Sequence, residues 1–467
     1  MSAKLNRRDF LRLMAIGSAG LALTACGGGA ATEAPSGGDE PEPEPEAPEP
    51  EGKLVWYAAQ AADHLPPFQA QHEMWSEMYP KVEIEEVFVP WSEYSSKMNT
   101  MIGGGETIDV VWLMIDNGQG GPLGVDTWIG RDALIDFTPV FDSGEMKRED
   151  YFEGVLENHF KIDGKFWGAP FECWQAVFWY NKTLFDAAGV DYPTEDWTWA
   201  DYRASAEALT IRSGDAAPEQ LGTRCANWNT FVWQAGCPIL SEDRKSVVID
   251  SDEAMEGFKE WEYYVGNGYS PVGDETNVFG GLQSGKVGTH SDGNYMWTSF
   301  REVSKELEFD FAATLAPIGP APLPTGRAHR AGYNVWSAFK KTEYPEMAQK
   351  FVTHLGYGDG AEPWAATGRV SPLKKFDLDY YQEVAELTED EKAKYATVLN
   401  ATFSQMENDY LHPNTVAPDV ENTSWGTINT PIAEELDKVI LDKSQTMEEA
   451  IDIAYQRVLK AIEDAGA

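Results

Sequence analysis

Between residues 53 and 120 the apolar positions alternate between short unbroken runs and helical stripes. Leu54-Val55-Trp56-Tyr57 is a run of four, which predicts a strand covered on both faces. Phe68, His72, Trp75 and Tyr79 then fall on one helical stripe that Pro80 ends. Val82, Ile84, Val87 and Val89 predict a second strand, and Trp91 to Ile102 a second helix stopped by Gly103-Gly104-Gly105. Ile108 to Ile115 is a third apolar run. An order of strand, helix, strand, helix, strand predicts an α/β body with a largely parallel sheet, in which ligands sit at the carboxyl ends of the strands.

The rest of the chain repeats this logic without a sequence repeat. Asp163-Gly164 predicts a tight turn ahead of an aromatic strand, Phe171 to Tyr180, and Thr198-Trp199-Ala200-Asp201 predicts a capping box opening a helix. Phe258, Trp261 and Val265 mark a further helix, and strands are expected at Val287 to His290, Phe311 to Leu315 and Tyr333 to Phe339. Thr430-Pro431 and Thr446-Met447-Glu448-Glu449 predict the starts of two C-terminal amphipathic helices. A length of 467 residues fits two to three domains or one large two-lobed body.

The first 52 residues follow a different pattern. A twin arginine, Arg7-Arg8, precedes an apolar stretch from Leu13 to Leu23 that is too short to remain as a membrane-spanning helix. It ends in Leu23-Thr24-Ala25-Cys26, which resembles the site at which bacterial lipoproteins are cut and acylated, and the arginine pair resembles the signal for export of folded proteins. Residues 1–26 are thus expected to be a Tat-type lipoprotein signal with Cys26 lipidated. Residues 27–52 hold Pro41-Glu42-Pro43-Glu44-Pro45-Glu46 and are expected to be an extended, self-repelling tether.

Composition narrows the function. Acidic residues outnumber basic ones 77 to 36, for a net charge of −41. Setting aside +3 on the leader and −8 on the tether leaves −36 on the body, so its field repels nucleic acid and anionic membrane surfaces. Seven His and four Cys without HExxH or Cys-x-x-Cys give little material for a metal site, and neither a metal nor a cofactor is expected. In an oxidising space outside the membrane Cys225 and Cys237 could pair, leaving Cys173 free. Gly280 to Lys286 has the spacing of a phosphate-binding loop, but Val287 replaces the hydroxyl residue that binds magnesium.

The block Tyr180-Asn181-Lys182-Thr183-Leu184-Phe185-Asp186-Ala187-Ala188-Gly189-Val190, followed by Pro193 and Trp197-Thr198-Trp199, resembles the family 1 extracellular solute-binding proteins of ABC importers, the maltose-binding type. Gly164 to Pro170, Gln283 to Gly288, Gly332 to Trp336 and Glu346 to Phe351 agree in order. The resemblance implies two α/β lobes joined by crossing hinge strands around a ligand cleft. By motif, lobe one would be 53–170 plus 313–358 and lobe two 171–312 plus 359–467. It also implies a monomer that is not an enzyme and that hands a captured solute to ABC permease subunits. The favoured solute is a sugar or oligosaccharide. A polyol phosphate, peptide or polyamine on the same fold, or a secreted carbohydrate-active enzyme, are the alternatives; few basic residues near the expected site argue against phosphate.

A sugar presents apolar C–H faces and a ring of hydroxyls, so its receptor needs flat indoles beside short polar groups. Trp75, Trp197, Trp199, Trp261 and Trp364 lie on helical stripes or at a helix start and are assigned to packing, as is Trp112 in its apolar strand. Candidate ligand contacts are Asp116 and Asn117 after the third strand; Trp174 and Gln175 before the Tyr180 block; and the cluster Asn227, Trp228 and Trp233. Asp292, Asn294, Tyr295 and Trp297 follow a strand and are further candidates. Asn334 in an interior strand, Arg369 and Trp425 complete the set. Arg369 could equally hold a ligand hydroxyl or cap the Trp364 helix.

Overall fold

A computed structural model describes residues 51–61, 64–115, 123–214, 218–271, 281–384, 387–408, 411–413, 423 and 425–466. The leader with Cys26, most of the tether, and Asp116 with Asn117 lie outside the described residues.

The body opens as its pattern predicts, with β1 (Gly52–Gln60), α1 (Leu65–Met78), β2 (Val82–Pro90), α2 (Trp91–Gly103) and β3 (Val110–Ile115). β1 pairs in parallel with β2 on one edge and β3 on the other. Asp163 and Gly164, both with positive φ, turn the small hairpin of β4 (Lys161–Ile162) and β5 (Lys165–Phe166). The chain then enters β6 (Ala169–Asn181), thirteen residues buried throughout.

Asn181 ends β6 and caps α3 (Lys182–Ala188), its side chain accepting from the Leu184 amide, and Gly189 in the left-handed region closes that helix. The Thr198–Asp201 capping box opens α4 (Trp199–Leu209). There follow β7 (Leu221–Arg224), α5 (Trp228–Gln234), α6 (Asp252–Gly266), β8 (Val287–Gly293), α7 (Trp297–Glu306) and β9 (Phe311–Thr314). The main elements after these are β10 (His329–Ala338), α8 (Pro345–Gly356), α9 (Glu362–Ala365), α10 (Glu389–Glu407), β11 (Leu411–Pro413), α11 (Trp425–Ile440) and α12 (Met447–Gly466).

The strand order is β2-β1-β3-β10-β6-β8-β7, with β11 on β10 and β9 on β6. β6 divides along its length. Residues 169–175 pair with β10, whereas 176–180 pair with β8 and 178–181 with β9. One strand therefore belongs to both lobes, and β10 runs antiparallel beside it between β3 and β6.

Each lobe has its own aromatic packing. In the first, the Trp56 ring meets Phe68, Phe88, Trp336 and Phe351 at centroid distances of 4.9 to 5.6 Å. Such pairs contribute roughly 0.5 to 1.5 kcal/mol each beyond area burial. Trp364, in the segment assigned by motif to lobe two, stacks on Phe68 at 5.5 Å. In the second lobe Trp228, Phe258, Ile432, Leu436 and Val458 share a core under α11 and α12.

One boundary differs from the sequence reading. Thr430-Pro431 does not start a helix; α11 begins at Trp425 and carries Pro431 in its interior. The apolar stripe Trp425, Ile428, Ile432, Leu436 and Val439 is buried along that helix, and this burial outweighs the loss of one backbone hydrogen bond at Pro431. The other packing assignments agree with the structure: Trp75, Trp112, Trp197, Trp199 and Trp364 are buried and Trp261 is half-buried.

Candidate ligand cleft

Strand register locates the cleft. Because β1, β2 and β3 are parallel, their carboxyl ends lie on one rim, the position at which open α/β sheets bind ligands. Ile115 at the end of β3 is level with Tyr333 of β10, and Tyr333 with Cys173 of β6. Trp174 and Gln175 therefore stand at that rim, where β6 leaves the first sheet. One residue further, Ala176 pairs with Gly293 at the end of β8, and β7 runs parallel to β8 with Arg224 opposite His290. The carboxyl ends of β7 and β8 thus approach the same level from the second lobe. Asn227 and Trp228 follow β7, Asp292 to Tyr295 close β8, and Asp116 with Asn117 come directly after β3 in sequence.

Trp174 lies across the backbone of Gly332: a Cβ on Gly332 would fall 2.1 Å from the indole nitrogen, so only glycine admits the ring there. Tyr295 meets the edge of Trp174 at 5.8 Å and 81°, and Gly293 in turn leaves room for the Tyr295 ring. The Tyr295 hydroxyl donates to Asp292 Oδ1 at 2.8 Å, while the Gly293 amide donates to the same oxygen at 2.7 Å. Burial, with Asp292 alongside, pushes the Tyr295 phenol well above its usual range, so it remains a neutral donor.

On the first-lobe side of Trp174, Glu172 is buried and accepts from Asn334 Nδ2 at 2.7 Å and Arg369 Nη1 at 3.1 Å. Arg369 also lies over the Trp364 ring at 5.2 Å. Gln175 accepts from Asn294 Nδ2 at 3.2 Å, and Asn294 reaches Thr402 of α10 at 3.4 Å. Gln175 Nε2 and Asn334 Oδ1 are among the buried polar atoms without a hydrogen-bond partner among the described residues, a donor group and an acceptor on the crossing strands.

The remaining candidates have different surroundings. Trp228 stacks on Phe258 at 5.2 Å and on Trp425 at 5.8 Å, and its indole N–H donates to Asn429 Oδ1 at 3.2 Å. Trp233 is buried in the same core. Asn227 is exposed at the start of α5. Trp297 stacks on Tyr395 at 4.5 Å. Cys225 and Cys237 are free thiols, each pushed upward by burial, Cys225 to about 12, and Cys237 Sγ donates to the Val248 carbonyl. The structure thus lacks the pairing that the sequence left open.

The sequence reading passed over two residues. Glu172 is the one acid in the apolar run from Ala169 to Tyr180, and a charge in such a run is itself a signal of a paired or functional group. Trp91, directly after β2, was absorbed into a helical pattern although it stands at a strand's carboxyl end.

A family model described as bacterial extracellular solute-binding protein matches residues 50–356. The chain is 24% identical over 344 residues to a Brucella abortus protein named only as a binding protein, covering 69% of this chain and 76% of that one. An erythritol/L-threitol-binding protein of Mycolicibacterium smegmatis is 25% identical, with 55% and 57% covered. Among solved structures, an ABC substrate-binding protein of Listeria monocytogenes in complex with cycloalternan superposes with a TM-score of 0.70 at 20% identity, covering 89% of this chain and all of that one. These likenesses establish a two-lobed solute-binding fold around the crossing strands.

Proposed function

The chain belongs to the bacterial extracellular solute-binding protein family, and from that premise we propose that it captures a neutral sugar or oligosaccharide outside the cell membrane. In this reading it is tethered there through an acylated Cys26 and delivers its ligand to the permease subunits of an ABC importer. The lobes are taken as 53–170 plus 313–358 and 171–312 plus 359–467, with α9 docked on the first. The relatives' named ligands, an erythritol or threitol in one and cycloalternan in another, are uncharged polyhydroxylated molecules.

The observation that carries the proposal is the setting of Trp174. The Trp174 indole, carried on the strand shared by both sheets, lies against Gly332 of β10, with Asp292 and Tyr295 on one side and Glu172, Asn334 and Arg369 on the other. A flat apolar face ringed by donors and acceptors is the complement of a pyranose. Asp116, Asn117, Asn227, Trp228, Trp233, Asn294, Trp297 and Trp425 remain proposed contributors to the cleft or its walls. A ligand held between both rims favours the closed arrangement by its differential affinity for it.

A melting-shift screen of mono- and oligosaccharides tests the reading. A sugar at about 100 times its dissociation constant should add roughly 2.7 kcal/mol of stability. Small-angle scattering of the same sample should show a smaller radius of gyration. A shift with peptides or polyamines and none with any sugar would reject the assignment.

A further inference from the structure

Of the 17 tryptophans in the chain, Trp91 alone is exposed, at 41%; every other one is buried or half-buried. A lone exposed apolar side chain is ordinary on a protein surface, and what distinguishes Trp91 is where it stands and how it is held. Its position is specific. Trp91 directly follows Pro90, the last residue of β2, and so stands on the same first-lobe rim as the ends of β1 and β3.

The ring is also held. Trp112 meets it at 5.1 Å and 78°, Tyr94 at 5.8 Å and 40°, and His64 at 6.5 Å and 84°. Tyr94 is itself fixed by hydrogen bonding to the Trp112 carbonyl, and His64 by its Nδ1 contact with the Ala59 carbonyl at 3.0 Å. These contacts fix the plane of the ring, and a stacking surface fixed in advance loses less entropy when a ligand lands.

We infer that Trp91 is an outer stacking surface for a second or later ring of an oligosaccharide, and that it sets a preference for chain length. This rests on the sugar reading above. β2 and β6 are four strand spacings apart in the order β2-β1-β3-β10-β6, which places the two strands about 19 Å from each other. That span is wider than one sugar ring. A monosaccharide seated at Trp174 does not reach Trp91, and an extended ligand does.

The experiment compares wild type, Trp91→Ala and Trp91→Phe by calorimetry against glucose, xylose and arabinose and their oligomers of two to six rings, with acrylamide quenching of tryptophan emission alongside. Trp91→Ala should bind the longer oligomers roughly three- to tenfold more weakly, with affinity for any bound monosaccharide unchanged and Phe restoring part of the loss. In wild type the long ligand should also protect the quenchable emission that Trp91→Phe lacks. Sugar binding by wild type with the same affinities in Trp91→Ala at every length overturns the outer surface and leaves the sugar reading intact. Equal loss for mono- and oligosaccharides overturns the length preference. Failure of wild type to bind any of these sugars, with clear binding of another solute class, overturns both.

Discussion

Trp228 and Trp425 stack ring on ring, their centroids 5.8 Å and their planes 15° apart, although they lie on helices from distant parts of the chain. With Phe258 stacked on the same Trp228 ring, the indole is part of the second-lobe core as well as a proposed part of the cleft wall. Trp228→Ala is therefore expected to cost about 3 to 5 kcal/mol of stability. Urea unfolding checks it: a midpoint unchanged from wild type would show that the ring is dispensable to the fold.

Gly332 and Trp174 make the opposite case, a small residue kept for the sake of a large one. A Cβ at position 332 would run into the indole, so Gly332→Ala must displace the ring or the strand. Overpacking of this kind costs about 1 to 3 kcal/mol. The expected result is a modest fall in melting temperature together with a marked loss of sugar affinity, because the displaced ring is the proposed stacking surface. Unaltered affinity would remove Trp174 from the site.

Glu172 and Arg369 form an ion pair whose side chains are 2% and 15% exposed. Removing Arg369 leaves the buried Glu172 carboxylate with the neutral Asn334 amide in place of a countercharge, so Glu172→Gln or Arg369→Met alone is expected to lose up to about 3 to 5 kcal/mol, while the double substitution recovers part of that loss. A double-mutant cycle by chemical unfolding measures the coupling. Strictly additive single losses would mean that the pair does not act as a unit.

How much of this was legible in the sequence depends on the range of the forces involved. The strands and helices of the first lobe follow from local periodicity, and the Thr198 and Thr446 helix starts from hydrogen bonds three residues apart. Packing assignments for Trp75 and Trp364 followed from the same stripes. Pro431 misled because its local cost is visible in sequence, whereas the buried stripe that overrides it depends on α12. The Glu172–Arg369 pair joins residues far apart in sequence, and no spacing rule brings them together. Trp91 was missed because its exposure is a property of the rim, and its own helix pattern reads as packing.

Buried histidines supply a pH dependence. His329 donates from Nδ1 to the Ala176 carbonyl at 2.6 Å, since a carbonyl can only accept, and its Nε2 accepts from Ser291 Oγ at 2.9 Å. Burial pushes its pKa down to about 3, with Arg330 adding to the effect. His290 is pushed down to about 4, chiefly by burial, with Arg224 and Arg330 lowering it further and Asp292, 3.6 Å away, opposing. His354 is also lowered by burial against its bond to the Gln71 carbonyl. Each is neutral in the fold and binds a proton more readily when unfolded, at about pH 6.5. Their contribution is therefore fully present above that pH and declines as pH falls toward the folded values. Stability should drop between pH 6.5 and 4.5 with a slope of up to about 1.4 kcal/mol per pH unit for each histidine. Glu391 and Glu435, both held low by ion pairs and hydrogen bonds, add their own loss only below about pH 4.5, the ordinary value for a glutamate, whereas Glu260, Glu262 and Asp126, raised by burial, favour the fold as pH falls and offset part of the histidine slope. Urea unfolding at pH 8, 6.5, 5.5 and 4.5 reads the slope, and His329→Gln should flatten part of it. The same pH profile in wild type and His329→Gln would mean that this imidazole titrates alike in the folded and unfolded states.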